Sequence, residues 1–182
     1  TQVGQVQGSR RTRVVCAIAL ICALNCTHAG VSPAIRCMPG AEGIKPLVGK
    51  HWLRACQQVV EKTGLNAPPG VEVVVCRDHD QVRHVVPAAP DCGLAFALSH
   101  TKQIVIDGHA FSDPNRNAAG ILAHEVCHIA LAWGTSHAAF PKWFNEGLAC
   151  WASGETDLRG YDKLDWASAI GSLPSLTSIS HT

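Results

Sequence analysis

The sequence predicts an α+β domain in which a small mixed β-sheet packs against one long helix that a second helix follows. Two runs rich in β-branched residues, 71–76 and 102–107, have strand character. Residues 116–133 repeat their apolar positions at helical intervals and end at Gly134. The order of elements (helix, strands, long helix, second helix) then suggests a small sheet packed against the long helix.

The N-terminal residues carry an export pattern. Arg10, Arg11 and Arg13 precede the uncharged, mostly apolar run 14–26, and Thr27-His28-Ala29 places small residues where a signal peptidase cuts. The apolar run is shorter than the roughly 20 residues a membrane span needs. Residues 1–29 are therefore expected to be a signal peptide, and residues 30–182 a single domain of a secreted or periplasmic protein with no stable membrane span after cleavage. Residues 172–182 read as an interrupted segment, so truncation at the C-terminal end is expected.

Within the domain, the Gly- and Pro-rich residues 30–49 read as an irregular lead-in. Residues 47–63 place Trp52, Leu53, Cys56, Val59 and Val60 at helical spacing before Gly64, a helix terminator. Ala67-Pro68-Pro69-Gly70 is a turn, and strand 71–76 follows. Polar residues 77–91 read as a loop, 92–98 as a short strand and 102–107 as a firmer one. Asp113-Pro114-Asn115 offers a capping signal for the long helix. The next helix starts near Pro141, which suits a first turn, and runs to about Ser153 before Gly154. A third helix is expected over 161–170. Trp52, Trp133, Trp143 and Trp151 are expected to anchor the core.

Charge narrows the partners. Lys and Arg number 15 against 14 Asp and Glu, and charged residues make up only 16% of the chain. No basic field is present to attract nucleic acid, which is not expected as a partner. Of nine cysteines, Cys16, Cys22 and Cys26 lie in the export segment. The other six (Cys37, Cys56, Cys76, Cys92, Cys127, Cys150) contain no Cys-x-x-Cys pair, so in an exported chain they read as up to three disulfides. A Cys127–Cys150 bridge would staple the last two helices; two buried thiols are the alternative.

The chemistry concentrates in His124-Glu125-Val126-Cys127-His128. Two histidines four residues apart on a helix project from one face, one turn apart, and their nitrogens can share one zinc ion at about 2.0–2.1 Å. Glu125 sits about 100° round the helix, beside the metal. There it can act as general base toward a water that the metal acidifies. Ile121, Leu122, Val126 and Ile129 surround the motif with apolar residues, as a buried ligand helix requires.

A catalytic zinc needs a third protein ligand. Glu146, in Trp143-Phe144-Asn145-Glu146-Gly147-Leu148-Ala149, is the expected one, because an acid in so apolar a stretch needs a partner and an antiparallel second helix would bring it back. His137, nine residues after His128, is the competing candidate.

The segment 122–128 followed by 141–149 resembles the bacterial peptidase-MA-like group of gluzincin zinc metallopeptidases. It is also similar to the active-site half of the aminopeptidases that carry a Trp-x-Asn-Glu-Gly-x-Ala segment; the resemblance covers about residues 90–160. It implies a zincin-like fold, a zinc cofactor held by His124, His128 and Glu146, and Glu125 as base and proton shuttle.

The departures from those families are specific. Residues 93–98, Gly-Leu-Ala-Phe-Ala-Leu, lack the acid with which such aminopeptidases hold the substrate amine, so an endopeptidase acting on peptides or proteins is expected instead. Cys150 stands where thermolysin-like enzymes place an Asp that orients a ligand histidine. Tyr161 and His181 are the candidate donors to the transition-state oxygen. The strand at 102–107 is a candidate edge for pairing with an extended peptide. The rival readings are a zinc-containing binding module with little or no activity, and a hydrolase of non-peptide amides such as cell-wall material.

Overall fold

A computed structural model describes residues 32–90 and 93–154. The architecture is mixed α+β: a four-stranded mixed sheet with five helices among the described residues. The expected signal segment, the expected helix at 161–170 and both candidate oxyanion donors lie outside those residues.

The sheet comprises β1 (Ala34–Cys37), β2 (Glu72–Cys76), β3 (Ala95–Leu98) and β4 (Gln103–Asp107), in the order β1-β2-β4-β3. β1, β2 and β4 are parallel, and β3 returns antiparallel to β4 with Phe96 opposite Val105. The Val- and Ile-rich strands are buried on both faces, as central parallel strands usually are. Val73, Val75, Ile104 and Ile106 enter the main core, while Val74, Cys76 and Val105 enter a smaller one on the opposite face. This alternation follows the two-residue period of a strand.

Helix α1 (Lys45–Thr63) has proline in its first turn and ends at Gly64, whose φ of 73° is the left-handed conformation glycine adopts without penalty. It presents Val48, Trp52, Ala55, Cys56 and Val59 to the main core. Short α2 (His79–Val85) is capped by Asp78, which accepts from the Gln81 N–H at 3.0 Å, and sends Val82 into the smaller core. One-turn α3 (Gly108–Phe111) is capped by Asp107. The two helices that carry the expected site are α4 (Ala118–Gly134) and α5 (Lys142–Ser153). α4 packs against α1, α5 and β3. Gln58 and Lys62 of α1 donate to the Ala152 and Trp151 carbonyls at 2.9 and 2.7 Å, satisfying the end of α5.

Several expectations need correction. Residues 34–37 are a strand rather than part of an irregular lead-in, and residues 79–85 are helical within the expected loop. Helix α4 starts later than Asp113-Pro114-Asn115 implies, because its cap is Asn117, which accepts from the Gly120 N–H at 3.1 Å. Residues 102–107 do not form an edge: β4 lies between β2 and β3, and β3 is the edge on that side. Only Trp52 is a core anchor, since Trp133, Trp143 and Trp151 are 38%, 50% and 52% exposed. On α5 the inward face carries Ala149 and Ala152, small enough for close helix packing, and the aromatic rings point outward.

No disulfide joins the described cysteines, so the expected Cys127–Cys150 bridge is not what holds α4 to α5. Cys56 and Cys127 face the main core whereas Cys76 faces the smaller one, and burial makes them core side chains. No helix among the described residues is long and apolar enough to cross a membrane.

Candidate metal centre

Helix α4 is almost wholly apolar and is buried along most of its length, which brings its few polar residues to one opening. His124 and His128 emerge there one turn apart, with side chains 17% and 11% exposed. Their rings meet edge to face, with centroids 4.8 Å apart and planes at 74°. Across the helix pair, α5 delivers Glu146. Its Oε2 lies 3.5 Å from His124 Nε2 and 3.7 Å from His128 Nε2.

These separations test the fit of a metal directly. A tetrahedral zinc with ligand bonds of about 2.0–2.1 Å holds neighbouring ligand atoms about 3.3 Å apart. Two imidazole nitrogens and one carboxylate oxygen at 3.5 and 3.7 Å, all three mutually within 4.8 Å, form a set of that size and chemistry. The residues present fit a divalent ion with nitrogen and oxygen preference, zinc among them.

His128 is prepared for ligation by a neighbour. Its Nδ1–H donates to Asn145 Oδ1 at 2.9 Å, which fixes the tautomer and leaves Nε2 with its lone pair toward Glu146. Burial pushes the His128 pKa below its usual value; the Asn145 bond opposes that shift, as does the Glu146 carboxylate, while His124 reinforces it. The net effect favours a neutral imidazole, the form that binds metal.

Glu125 is buried, 8% exposed, and reaches the wall of a cleft of about 480 Å³. The same cleft is lined by His124, His128, Asn145 and Glu146 on one side and by β3 with Ser99 on the other. An extended chain lying along β3 would pass the ligand cluster and Glu125. Trp133 secures this geometry by donating from its indole N–H to the Ser99 carbonyl at 2.8 Å, tying the end of α4 to the end of β3.

The sequence-predicted residues His124, Glu125, His128 and Glu146 are thus brought to one place. His137, the competing ligand, is not: its ring stacks on His100 with centroids 5.2 Å apart and meets Trp133 edge to face. Cys127 turns into the core, and burial raises its thiol to about 11, so it does not serve the cluster. With Cys150 at the position where thermolysin-like enzymes place an orienting Asp, the sequence left the acceptor for a ligand histidine unassigned and Asn145 was missed. The available signal was adjacency, since Asn145 directly precedes Glu146 on the helix that faces His128.

Comparison with known proteins returns nothing: no protein-family profile, no curated protein and no solved structure matches the chain.

Proposed function

We propose that this chain is a zincin-like, gluzincin-type metallopeptidase that hydrolyses peptide bonds as an endopeptidase. The observation that carries the proposal is the convergence of His124 Nε2, His128 Nε2 and Glu146 Oε2 beside a buried Glu125. A purely structural zinc is enclosed by four protein ligands, whereas a three-ligand cluster opening on a cleft suits catalysis.

His124, His128 and Glu146 would hold the zinc, which supplies Lewis acidity toward water and the scissile carbonyl. Glu125 takes the proton from the attacking water and passes it to the departing amine, a role that needs a carboxylate within hydrogen-bond reach of both. Asn145 keeps the His128 ring oriented throughout. Among the described residues the outer edge of β3 has no strand partner, and an extended peptide would bind there by strand addition along the cleft. Residues 93–98 place no acid at that strand to hold a substrate amine, in keeping with internal cleavage.

The test compares the wild type with Glu125→Gln, Glu146→Ala and His137→Ala, using zinc analysis and turnover of a mixed peptide library. About one zinc per chain is expected in wild type and in Glu125→Gln, with cleavage lost by at least about 10²-fold in the latter. Glu146→Ala is expected to lose zinc and His137→Ala to keep it. Equal turnover by wild type and Glu125→Gln would remove the mechanism, and an absence of zinc in all four proteins would remove the whole proposal.

A further inference from the structure

Beside His128 the main cleft adjoins a second chamber of about 310 Å³; the two share Ser99, His128 and Asn145. Its outer wall is the stacked pair His100 and His137, and its floor includes Leu131 and Phe140. Among the described residues, no acidic side chain lines it.

The turn that supplies His137 is held in a costly conformation. Ser136 and His137 have φ of 53° and 60°, the left-handed region that L side chains seldom occupy, and they occupy it consecutively. Hydrogen bonds impose the arrangement: the His137 N–H donates to the Ala132 carbonyl at 2.6 Å and the Thr135 hydroxyl to the Leu131 carbonyl at 2.6 Å. The result sets one imidazole parallel to the other, at 12°, with Trp133 bracing His137 from the side. Parallel rings do not converge on a shared metal ion in both ring planes. Each imidazole does carry at least one N–H donor.

The remaining polar groups have the same sense. Asn145 spends its carbonyl oxygen on His128, so its amide N–H groups are what it can offer the chamber. Ser99 spends its carbonyl on Trp133 and can donate from its hydroxyl. Lys102 Nζ lies 4.4 Å from the centre of the Trp133 ring, the ring that braces His137.

We propose that this chamber receives an acidic side chain of the bound peptide, with His100 and His137 as the residues that select it. A carboxylate has only acceptors to offer, and the side chains of Ser99, His100, His137 and Asn145 can each donate to it. This inference rests on the proposed peptidase activity for its setting, and two measurements separate the two.

The first is a positional fluorogenic peptide library assayed with wild type and with the double variant His100→Leu, His137→Gly, which removes both imidazole donors. Glycine adopts left-handed backbone without penalty, so the turn is preserved. Wild type is expected to favour Asp or Glu over Asn or Gln by about tenfold at one position. The double variant should lose that preference while cleaving the Asn or Gln peptides as wild type does. The second measurement follows the imidazole NMR signals of the zinc-loaded protein during titration with acetyl-glutamate amide or acetyl-glutamine amide. Only the glutamate compound should move the His100 and His137 signals.

Cleavage without acid preference, preference retained in the double variant, or identical responses to the two amides would each overturn the proposal. Shifts at His100 and His137 in a protein that cleaves no peptide would retain the anion-selecting chamber and remove the peptidase reading.

Discussion

At the residue scale, the proposed metal centre involves Asn145 besides its three candidate ligands, because Asn145 Oδ1 accepts from His128 Nδ1. A ligand imidazole that loses its second hydrogen bond is free to rotate and to take the wrong tautomer. Asn145→Ala is therefore expected to weaken zinc binding by about 10–100-fold, measured by competition with a chromogenic chelator. Asn145→Asp should retain binding, because a carboxylate also accepts from His128 Nδ1. The pairing of His124 with His128 was legible in the sequence because helical periodicity alone puts both on one face. Asn145 was not, because its role depends on how α5 faces α4, and no local spacing encodes that. The exposure of Trp143 and Trp151 was hidden for a related reason: both faces of α5 carry apolar residues, and only packing decides which face is buried.

At the element scale, two glycines that look alike in sequence have opposite demands. A Cβ on Gly108 would stand 2.6 Å from the Cys76 carbonyl oxygen, where α3 begins against the end of β2. Gly108→Ala is expected to cost about 1–3 kcal/mol by forcing that backbone apart. A Cβ on Gly147 meets nothing within 4 Å on helix α5. Gly147→Ala should stabilise by up to about 1 kcal/mol through helix propensity. Urea denaturation of both variants checks the pair. β2, β4, α1, α4 and α5 could be read from composition and period. β1 could not, since four residues with burial alternating between exposed and partial carry little signal, and its pairing with β2 is parallel and remote in sequence. Nor could α2, seven residues long and mostly polar, whose only fully buried side chain is Val82.

At the scale of the whole molecule, the described chain places its polar chemistry where the edge strand β3 meets the two last helices. The metal would join α4 to α5 across their interface, where no disulfide does so. Zinc at a hundredfold excess over its dissociation constant is therefore expected to add about 2.7 kcal/mol to stability. Calorimetry should show a rise in Tm of several degrees, reversed by a chelator and absent in Glu146→Ala. A rise of equal size in Glu146→Ala would place the ion elsewhere.

The buried thiols turn the protein into its own clock. Burial raises Cys56 to about 12 and Cys76 and Cys127 to about 11, and each is almost fully shielded from solvent. An alkylating reagent reacts with thiolate, so it can reach these three only when their surroundings open. Half-buried Cys37 and Cys150 should be modified before these three, and peptide mapping by mass can time the three separately. Cys127 lies between His124 and His128, the two proposed histidine ligands, in the chain, and zinc should slow its modification most. The interval between Cys127 and Cys76 would then measure how often the metal helix lifts away without the sheet coming apart.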